Sequence, residues 1–280
     1  MKYNGVNMIK KIDKTNGKDW ALVLGSSSGF GGATAIELAK IGYNIFGVHL
    51  DRQATLTNVS KIVKAIEMTG QKAEFYNMNA ADDFQRNETL DDIQMRLKDT
   101  NSGIKVLVHS LAFGSLRPFF GKSPNECMTK AQMEMTLDVM AHSLVYWTQG
   151  LVFRNLLKPY AKIFALTSSG SKEVIPYYGA VSAAKCALES HIRQIAMELG
   201  YLNVSANAIM AGVTDTPALR KIPNAENMIK IAQSKNPRKR LTTPQDVANI
   251  IAGLCSDKLT WVSGGVIHAD AGESTTSYIG

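Results

Sequence analysis

Cysteine is scarce in this chain of 280 residues, which contains three: Cys127, Cys186 and Cys255. The number is odd and the spacings are long, so neither a disulfide framework nor a cysteine zinc site is indicated. The five histidines are scattered without a paired acid, and we therefore expect no metal. This cysteine usage is typical of a reduced, cytoplasmic protein.

Long hydrophobic runs are also missing. No stretch of eighteen residues is free of charges or breaks, so we predict no membrane insertion. Residues 1–19 lack the apolar core and cleavage site of a secretory signal, and we interpret them as an N-terminal extension.

The net charge of +7 includes a basic cluster at residues 238–240, which would suit an acidic partner such as a carrier protein. A solvated basic surface is the simpler explanation, and we predict no nucleic-acid partner.

Short β-branched runs alternate with helix-length amphipathic segments, which is the pattern of repeated βαβ units around a parallel sheet. The predicted strands cover residues 20–24, 44–50, 73–78, 105–110, 162–167, 204–209 and 265–269. The predicted helices cover residues 31–41, 58–69, 83–99, 129–157, 178–199 and 244–256. No linker or repeat interrupts residues 20–280, so we predict an α/β fold, a single doubly wound Rossmann-type domain with a seven-stranded parallel sheet and helices on both faces.

The least regular part of the sequence is the segment 214–240, which contains Pro217, Pro223 and Pro237. Long segments without strands are uncommon inside compact domains and usually carry function. Because this one follows the sixth strand, we interpret it as a substrate-binding loop or lid and not as a domain boundary.

A glycine-rich loop, GSSSGFG at residues 25–31, follows the first strand. Glycines allow a tight turn and let the backbone approach a pyrophosphate, whose charge then lies at the N-terminus of the next helix. Alone the loop is a weak signal, but a strand precedes it and a helix follows it. We therefore predict a dinucleotide site, with loop contacts from Gly25, Ser27, Ser28, Gly29, Phe30 and Gly31.

The tip of the second strand bears on the choice of dinucleotide. An acid there accepts hydrogen bonds from the ribose of NAD, whereas an arginine accommodates the 2′-phosphate of NADP. The tip places His49 at the usual acidic position, Arg52 close behind, and Asp51 between them. His49 and Arg52 favour NADPH as the cofactor, while Asp51 keeps NADH open.

Several short motifs together resemble the short-chain dehydrogenase/reductase family. They are the glycine-rich loop, Asn79-Ala80, His109-Ser110-Leu111-Ala112, Ser168, Tyr178 with Lys185, and Ala211-Gly212 with Thr216. The resemblance covers residues 20–272 and is strongest to the branch of enoyl-acyl-carrier-protein reductases of the FabI and FabL kinds. It implies a homotetramer, and it implies cofactor contacts from Asn79, Ala80, Ser110, Leu111, Ala112, Lys185, Gly212, Val213 and Thr216.

Three features depart from the ordinary branch of that family. The segment 109–112 replaces the usual Asn-Asn-Ala-Gly, and Met140 falls where keto-reductases keep the asparagine of a proton relay. The tyrosine, Tyr178, precedes Lys185 by seven residues, and Val181 takes the usual position four residues before the lysine. Together these departures indicate a different substrate geometry.

The tyrosine displacement has a physical meaning. Both spacings place the tyrosine on the face of the lysine, but seven residues span roughly 10 Å of helix axis and four residues roughly 6 Å. The resemblance implies that Lys185 holds the nicotinamide ribose. In carbonyl reduction, hydride and proton go to adjacent atoms, whereas in enoyl reduction hydride adds to Cβ and charge develops on the more distant thioester oxygen. A displaced Tyr178 fits stabilisation of that oxygen.

We therefore expect NAD(P)H-dependent reduction of a trans-2-enoyl thioester, carried by coenzyme A or by acyl carrier protein, with Tyr178 and Lys185 as the catalytic pair. Ser168 either polarises the substrate or only completes hydrogen bonds at the strand end. Four apolar residues either line an acyl channel or pack in the core: Phe113, Phe119, Phe120 and Met210. Two alternatives stay open, a keto or aldehyde reductase of the same fold and a nucleotide-binding protein without chemistry.

Overall fold

A computed structural model describes residues 19–277, so most of the predicted N-terminal extension lies outside the described residues. The strands are β1 (Trp20–Leu24), β2 (Asn44–His49), β3 (Ala73–Asn77), β4 (Ile104–His109), β5 (Leu157–Ser168), β6 (Ser205–Ala211) and β7 (Val266–Ala269). All neighbouring strands run parallel, in the order β3-β2-β1-β4-β5-β6-β7. The order reverses direction beside β1, which is where doubly wound sheets bind their ligands.

The described helices are α1 (Gly29–Lys40), α2 (Leu56–Glu67), α3 (Asp83–Leu97), α4 (Lys130–Leu137), α5 (Ser143–Phe153), α6 (Gly179–Glu198), α7 (Ala225–Lys235) and α8 (Pro244–Leu254). A π-helical turn, Asp138–His142, joins α4 to α5. In residues 19–277, no helix is both long enough and apolar enough to cross a membrane.

The core is divided between the two faces of the sheet. Alternate residues of β1 point to opposite faces, so Leu22 and Leu24 belong to one buried cluster and Ala21 and Val23 to the other. The first cluster packs against α3, α5 and α6, and the second packs against α1, α2 and α8. A parallel sheet covered on both faces has strands that are apolar throughout. The predicted seven-stranded α/β architecture with helices on both faces is confirmed.

Two element predictions were wrong. The helix predicted over 129–157 is interrupted by the π-helical turn and ends at Phe153, and Asn155 adopts a left-handed conformation with φ 55° before β5 begins at Leu157. The segment 214–240, predicted without a helix, contains α7. Ala225 and Ala232 are buried and Met228 and Ile229 are half-buried, which is the i, i+3, i+4, i+7 spacing of an amphipathic helix. The helical signal was therefore present, but the flanking Pro223 and Pro237 made the segment look irregular.

Candidate active site

The glycine-rich loop folds back onto the first turn of α1. Gly25 has a φ of 87°, and a Cβ on Gly31 would overlap the carbonyl oxygen of Gly25 and lie 2.9 Å from its carbon. Only glycine fits at so close an approach of two backbone segments. The helix begins after Ser28 with no acidic residue in its first turn, so its free N–H groups can donate hydrogen bonds to an anion. This loop fits the pyrophosphate of a dinucleotide.

Two further predicted segments meet this loop. A Cβ on Gly25 would lie 2.5 Å from the carbonyl oxygen of Ser110 and 3.4 Å from Cδ2 of Leu111, both at the end of β4. A Cβ on Gly29 would lie 3.7 Å from Cγ2 of Thr216, which follows β6. The structure therefore brings the segments after β1, β4 and β6 to one edge of the sheet. The remaining predicted loop residues, Ser27, Phe30 and Ala112, lie at this edge as well.

The segment after β6 is held by the C-terminal part of the chain. The N–H of Val213 donates to Oε1 of Glu273 at 3.0 Å, and Nδ2 of Asn236 donates to Oε2 of the same carboxylate at 3.2 Å. A Cβ on the neighbouring Gly212 would overlap Oγ1 of Thr242. Burial raises the pKa of Glu273 above its usual value. Sequence analysis missed Glu273, because no local pattern marks an acid that reaches a backbone amide sixty residues away.

The segment after β3 is built from short-range contacts. Oδ1 of Asn79 accepts a hydrogen bond from the N–H of Ala81 at 3.1 Å, and the carbonyl of Ala80 accepts one from Nε1 of the buried Trp147 at 2.8 Å. Both predicted residues thus stabilise the turn itself. Whether they also contact a cofactor stays a prediction.

An acidic side chain lies at the predicted ribose position beside the glycine-rich loop. Oδ2 of Asp51 is 3.0 Å from Nδ1 of the buried His49. Burial raises the pKa of Asp51, but the hydroxyls of Thr55 and Ser27 and the His49 ring together lower it below its usual value. Arg52 is exposed. An ionised Asp51 is thus better placed for a ribose hydroxyl than His49, whose ring is directed to that carboxylate.

Tyr178 is the N-cap of α6, which begins one residue later than predicted. Its ring lies over Gly170, where a Cβ would be 2.5 Å from Cε1 of the tyrosine and 3.3 Å from Oγ of Ser168. This serine hydroxyl is buried and faces the tyrosine. Burial raises the pKa of Tyr178, and the neighbouring Ser168 hydroxyl partly opposes that rise. The competing Tyr177 is 45% exposed and has a φ of 65°.

Lys185 is buried on α6, seven residues after this tyrosine. Its Nζ donates to the carbonyl oxygen of Leu166 at 2.7 Å, which fixes the ammonium against the end of β5. Burial lowers the pKa of Lys185 to about 8, and the carboxylate of Glu189 works in the opposite direction. An ammonium has three donors, so two stay available for ribose hydroxyls. Sequence analysis missed Glu189, although an acid four residues after Lys185 on the buried helix face is a readable signal.

The two positions that ordinary reductases use for tyrosine and relay asparagine are apolar and lie together. A Cβ on Gly114 would lie 3.0 Å from Sδ of Met140 and 3.1 Å from Cγ2 of Val181. Both side chains are almost fully buried. Met140 lies within the π-helical turn, a distortion that recurs at functional sites. No hydroxyl or amide is therefore offered at these two positions.

The predicted substrate-binding residues differ in accessibility. Phe113 is exposed, and the ring of Phe119 packs against Gly179 beside Tyr178. Met210 is only 1% exposed within β6, which favours packing in the core over contact with a substrate. The helix α7 is tied to the loop after β5 by an ion pair of 3.5 Å between Lys235 and Glu173.

The buried histidine of the segment 109–112 is structural. Nε2 of His109 is 2.8 Å from Oγ of Ser143, and burial lowers the pKa of His109 to about 3, so the ring is neutral. A second contact joins Nδ1 of His142 to Nε2 of His191 at 3.0 Å. Within the described range 19–277, no group of three His, Cys, Asp or Glu side chains could hold a metal ion.

Residues 25–274 match a family model described as enoyl-(acyl carrier protein) reductase, which spans the glycine-rich loop, Tyr178, Lys185 and the segment after β7. The chain belongs to this family. The predicted resemblance to the enoyl reductase branch of the short-chain dehydrogenase/reductases is confirmed.

Individual relatives include both enoyl and keto reductases. The enoyl-[acyl-carrier-protein] reductase [NADH] FabI of Buchnera aphidicola is 31% identical over 170 residues, 61% of this chain and 64% of the relative. The chain therefore matches a little under two thirds of the length of this curated relative. An enoyl-[acyl-carrier-protein] reductase (NADH) structure from Aquifex aeolicus shares the fold, with a TM-score of 0.79 at 22% identity over 93% of this chain and 98% of the other. LugOII, described as a promiscuous reductase that catalyses keto-reduction, has a TM-score of 0.77 at 26% identity over 94% and 100%.

Proposed function

We propose that this protein reduces the carbon–carbon double bond of a trans-2-enoyl thioester with a nicotinamide dinucleotide. The observation that carries the proposal is the arrangement of α6. Tyr178 stands at its start, seven residues before the buried Lys185, while Val181 and Met140 fill the ordinary tyrosine and asparagine positions with apolar groups. Family membership supports the same reaction class.

Each residue has a role in this proposal. The glycine-rich loop and the first turn of α1 would hold the pyrophosphate, Asp51 the adenosine ribose and Lys185 the nicotinamide ribose. The dinucleotide, when bound, supplies the hydride that Cβ of the substrate receives. Tyr178 then donates a hydrogen bond to the thioester oxygen on which negative charge develops, and protonation of the α-carbon afterwards completes the reduction. Because burial raises the pKa of Tyr178, the phenol keeps its proton at neutral pH and can act as this donor.

The test is a parallel assay of crotonyl-coenzyme A, a carrier-bound enoyl thioester and a 3-ketoacyl thioester, each with NADH and NADPH. We expect enoyl turnover at least about tenfold above ketoacyl turnover, because an enoyl substrate places its oxygen farther from the hydride acceptor. Loss of absorbance at 340 nm measures it. Tight dinucleotide binding without turnover of any substrate would instead identify a nucleotide-binding protein without chemistry.

A second candidate, keto-reduction, has one observation in its favour. The buried Ser168 hydroxyl lies beside Tyr178, an arrangement that could polarise a carbonyl on the carbon that accepts hydride. The similarity to LugOII agrees with it. Ketoacyl turnover above enoyl turnover in the same assay would select this candidate.

For the cofactor, we propose a preference for NADH that depends on Asp51. An ionised carboxylate beside the ribose site accepts hydrogen bonds from both hydroxyls but repels a 2′-phosphate. Asp51→Ser should therefore move the ratio of NADH to NADPH affinity toward NADPH by roughly ten- to hundredfold. Fluorescence titration of each dinucleotide measures the ratio.

Arg52→Ala serves as the companion variant for this prediction. Arg52 is exposed one residue beyond Asp51, and under the proposal its removal should change the ratio by less than about threefold. A wild-type protein that binds NADPH more tightly, and loses that preference in Arg52→Ala, would overturn the proposal.

The thioester carrier and the assembly are proposals as well. We propose that an acyl carrier protein presents the substrate near segment 214–240, which we interpret as a lid and which is rich in lysine and arginine. We also propose that the protein works in the cytoplasm. A homotetramer would cover large apolar side chains that are exposed here, including Phe153 on α5 and Trp261 after α8. Sedimentation as a monomer at micromolar concentration would contradict the tetramer.

A further inference from the structure

Three consecutive residues at the end of β5 meet the start of α6. The carbonyl of Leu166 accepts the hydrogen bond from Lys185, and the Ser168 hydroxyl lies beside Tyr178. Between them, Oγ1 of Thr167 donates to Oε1 of Glu189 at 2.6 Å. Thr167, which lies between the two residues that contact the proposed catalytic pair, is thus hydrogen-bonded to Glu189 of α6. The proposed mechanism assigns no role to Glu189.

Glu189 is an unusual residue to find at this place. It is 8% exposed, and a carboxylate is rarely buried without a compensating partner. It follows Lys185 by four residues, so the two side chains lie on one face of α6, about one turn apart. In the described part of the chain no ion pair joins them, since the ammonium is held by the Leu166 carbonyl. The carboxylate therefore acts on the ammonium through charge across a buried space.

We propose that Glu189 is a positioning residue: its carboxylate, fixed by Thr167, keeps the buried Lys185 ammonium charged so that it can hold the nicotinamide ribose. This inference rests on the proposed reductase function, because that function assigns the ribose to Lys185. Glu189 itself touches neither substrate nor cofactor.

Two opposing effects set the charge of Lys185. Burial disfavours the charged form of a lysine, and a nearby negative charge favours it. At Lys185 burial dominates and brings the pKa to about 8, close to the pH of the cell, even with Glu189 present. Neutralising Glu189 removes the favourable effect and leaves burial, so the pKa of Lys185 should fall. At physiological pH, part of the protein population would then carry Lys185 as a neutral amine, which has one hydrogen-bond donor fewer and no charge.

The other ionisable groups around Lys185 do not replace Glu189. Tyr178 precedes it at the start of α6, and His109 at the end of β4 interacts with it electrostatically. His191 on α6 and His142 in the π-helical turn lie farther along the same helix pair and are bonded to each other. Burial lowers the pKa of both His109 and His191, so these two rings are neutral near pH 7 and offer no negative charge.

The test compares Glu189→Gln with the wild type and with Glu198→Gln as a matched control. Glutamine keeps an oxygen that can accept the Thr167 hydrogen bond and removes only the charge. Glu198 lies near the end of the same helix, is exposed and contacts Gln194. Dinucleotide dissociation constants are measured by fluorescence titration from pH 6 to pH 9.5, and enoyl turnover is measured over the same range.

We expect the alkaline loss of dinucleotide affinity to move about one pH unit lower in Glu189→Gln, so that affinity is about five- to tenfold weaker at pH 8.5 and within about twofold of wild type at pH 6.5. Glu198→Gln should follow the wild type. Equal loss at every pH would mean that Glu189 serves the fold alone, and an unchanged profile would mean that its charge is irrelevant; either result overturns the proposal.

One further variant keeps the test decisive. If Glu189→Gln does not fold, as judged by circular dichroism, Glu189→Asp retains the charge one methylene farther away and should give a smaller shift in the same direction. A loss of dinucleotide affinity in Glu189→Asp that is equal at every pH would count against the proposal. The binding titration needs no enoyl substrate, so failure of the proposed enoyl activity would leave this result readable.

Discussion

Tyr178→Phe should lower enoyl turnover by about 100- to 1,000-fold while dinucleotide affinity stays within about twofold, since removal of one donor to a developing oxyanion has a cost of this size. The hydroxyl is the only group removed. Its ring will still pack over Gly170, so the start of α6 should keep its conformation. Steady-state kinetics gives the first quantity and fluorescence titration the second.

Tyr177→Phe is the matched control for this change. It removes the same hydroxyl from the adjacent residue, whose side chain is exposed and does not belong to the core cluster that Tyr178 contacts. Turnover should stay within about twofold of wild type, as for most exposed substitutions. If Tyr178→Phe retained more than half of the activity, or if Tyr177→Phe lost as much, the assignment of the oxyanion donor would be wrong.

Gly31→Ala should weaken dinucleotide binding by about 100-fold or more, because the added methyl group overlaps backbone atoms of Gly25 that cannot rotate away. The glycine-rich loop must then move off the first turn of α1, and its N–H groups lose their common direction. We expect a destabilisation of about 1–3 kcal/mol as well. Fluorescence titration and thermal unfolding measure the two effects.

Gly253→Ala supplies the control for a methyl group added to a helical glycine. Gly253 lies in α8, and no atom lies within 4 Å of the position that its Cβ would take. This variant should bind dinucleotide normally and should be unchanged or more stable by up to about 1 kcal/mol, since alanine favours a helix over glycine. Normal dinucleotide binding by Gly31→Ala would show that the loop does not hold the pyrophosphate.

Much of the fold was readable because its signals are local. The strand bounds of β1 agree with the prediction, and the remaining strands overlap theirs, since apolar β-branched runs between turn residues identify buried parallel strands. The helix α7 was not predicted because Pro223 and Pro237 beside it made the whole segment look irregular, although its apolar residues have helical spacing. The break between α4 and α5 was not predicted because a π-helical turn leaves no periodic trace in an apolar sequence. Local patterns predicted the buried strands well, and they failed where prolines flank a short helix and where the helix type changes within an apolar segment.

The candidate site divides in the same way. By itself, the sequence determined the glycine-rich loop, the spacing of Tyr178 and Lys185 and the apolar replacements Val181 and Met140, because each depends on residue type and on distance along the chain. The direction of the Asp51 carboxylate, the bond from Thr167 to Glu189 across 22 residues and the bond from Val213 to Glu273 across 60 were decided only by the tertiary structure. Such contacts depend on which helix face meets which strand end, and that is fixed by packing of the whole sheet and not by any local pattern.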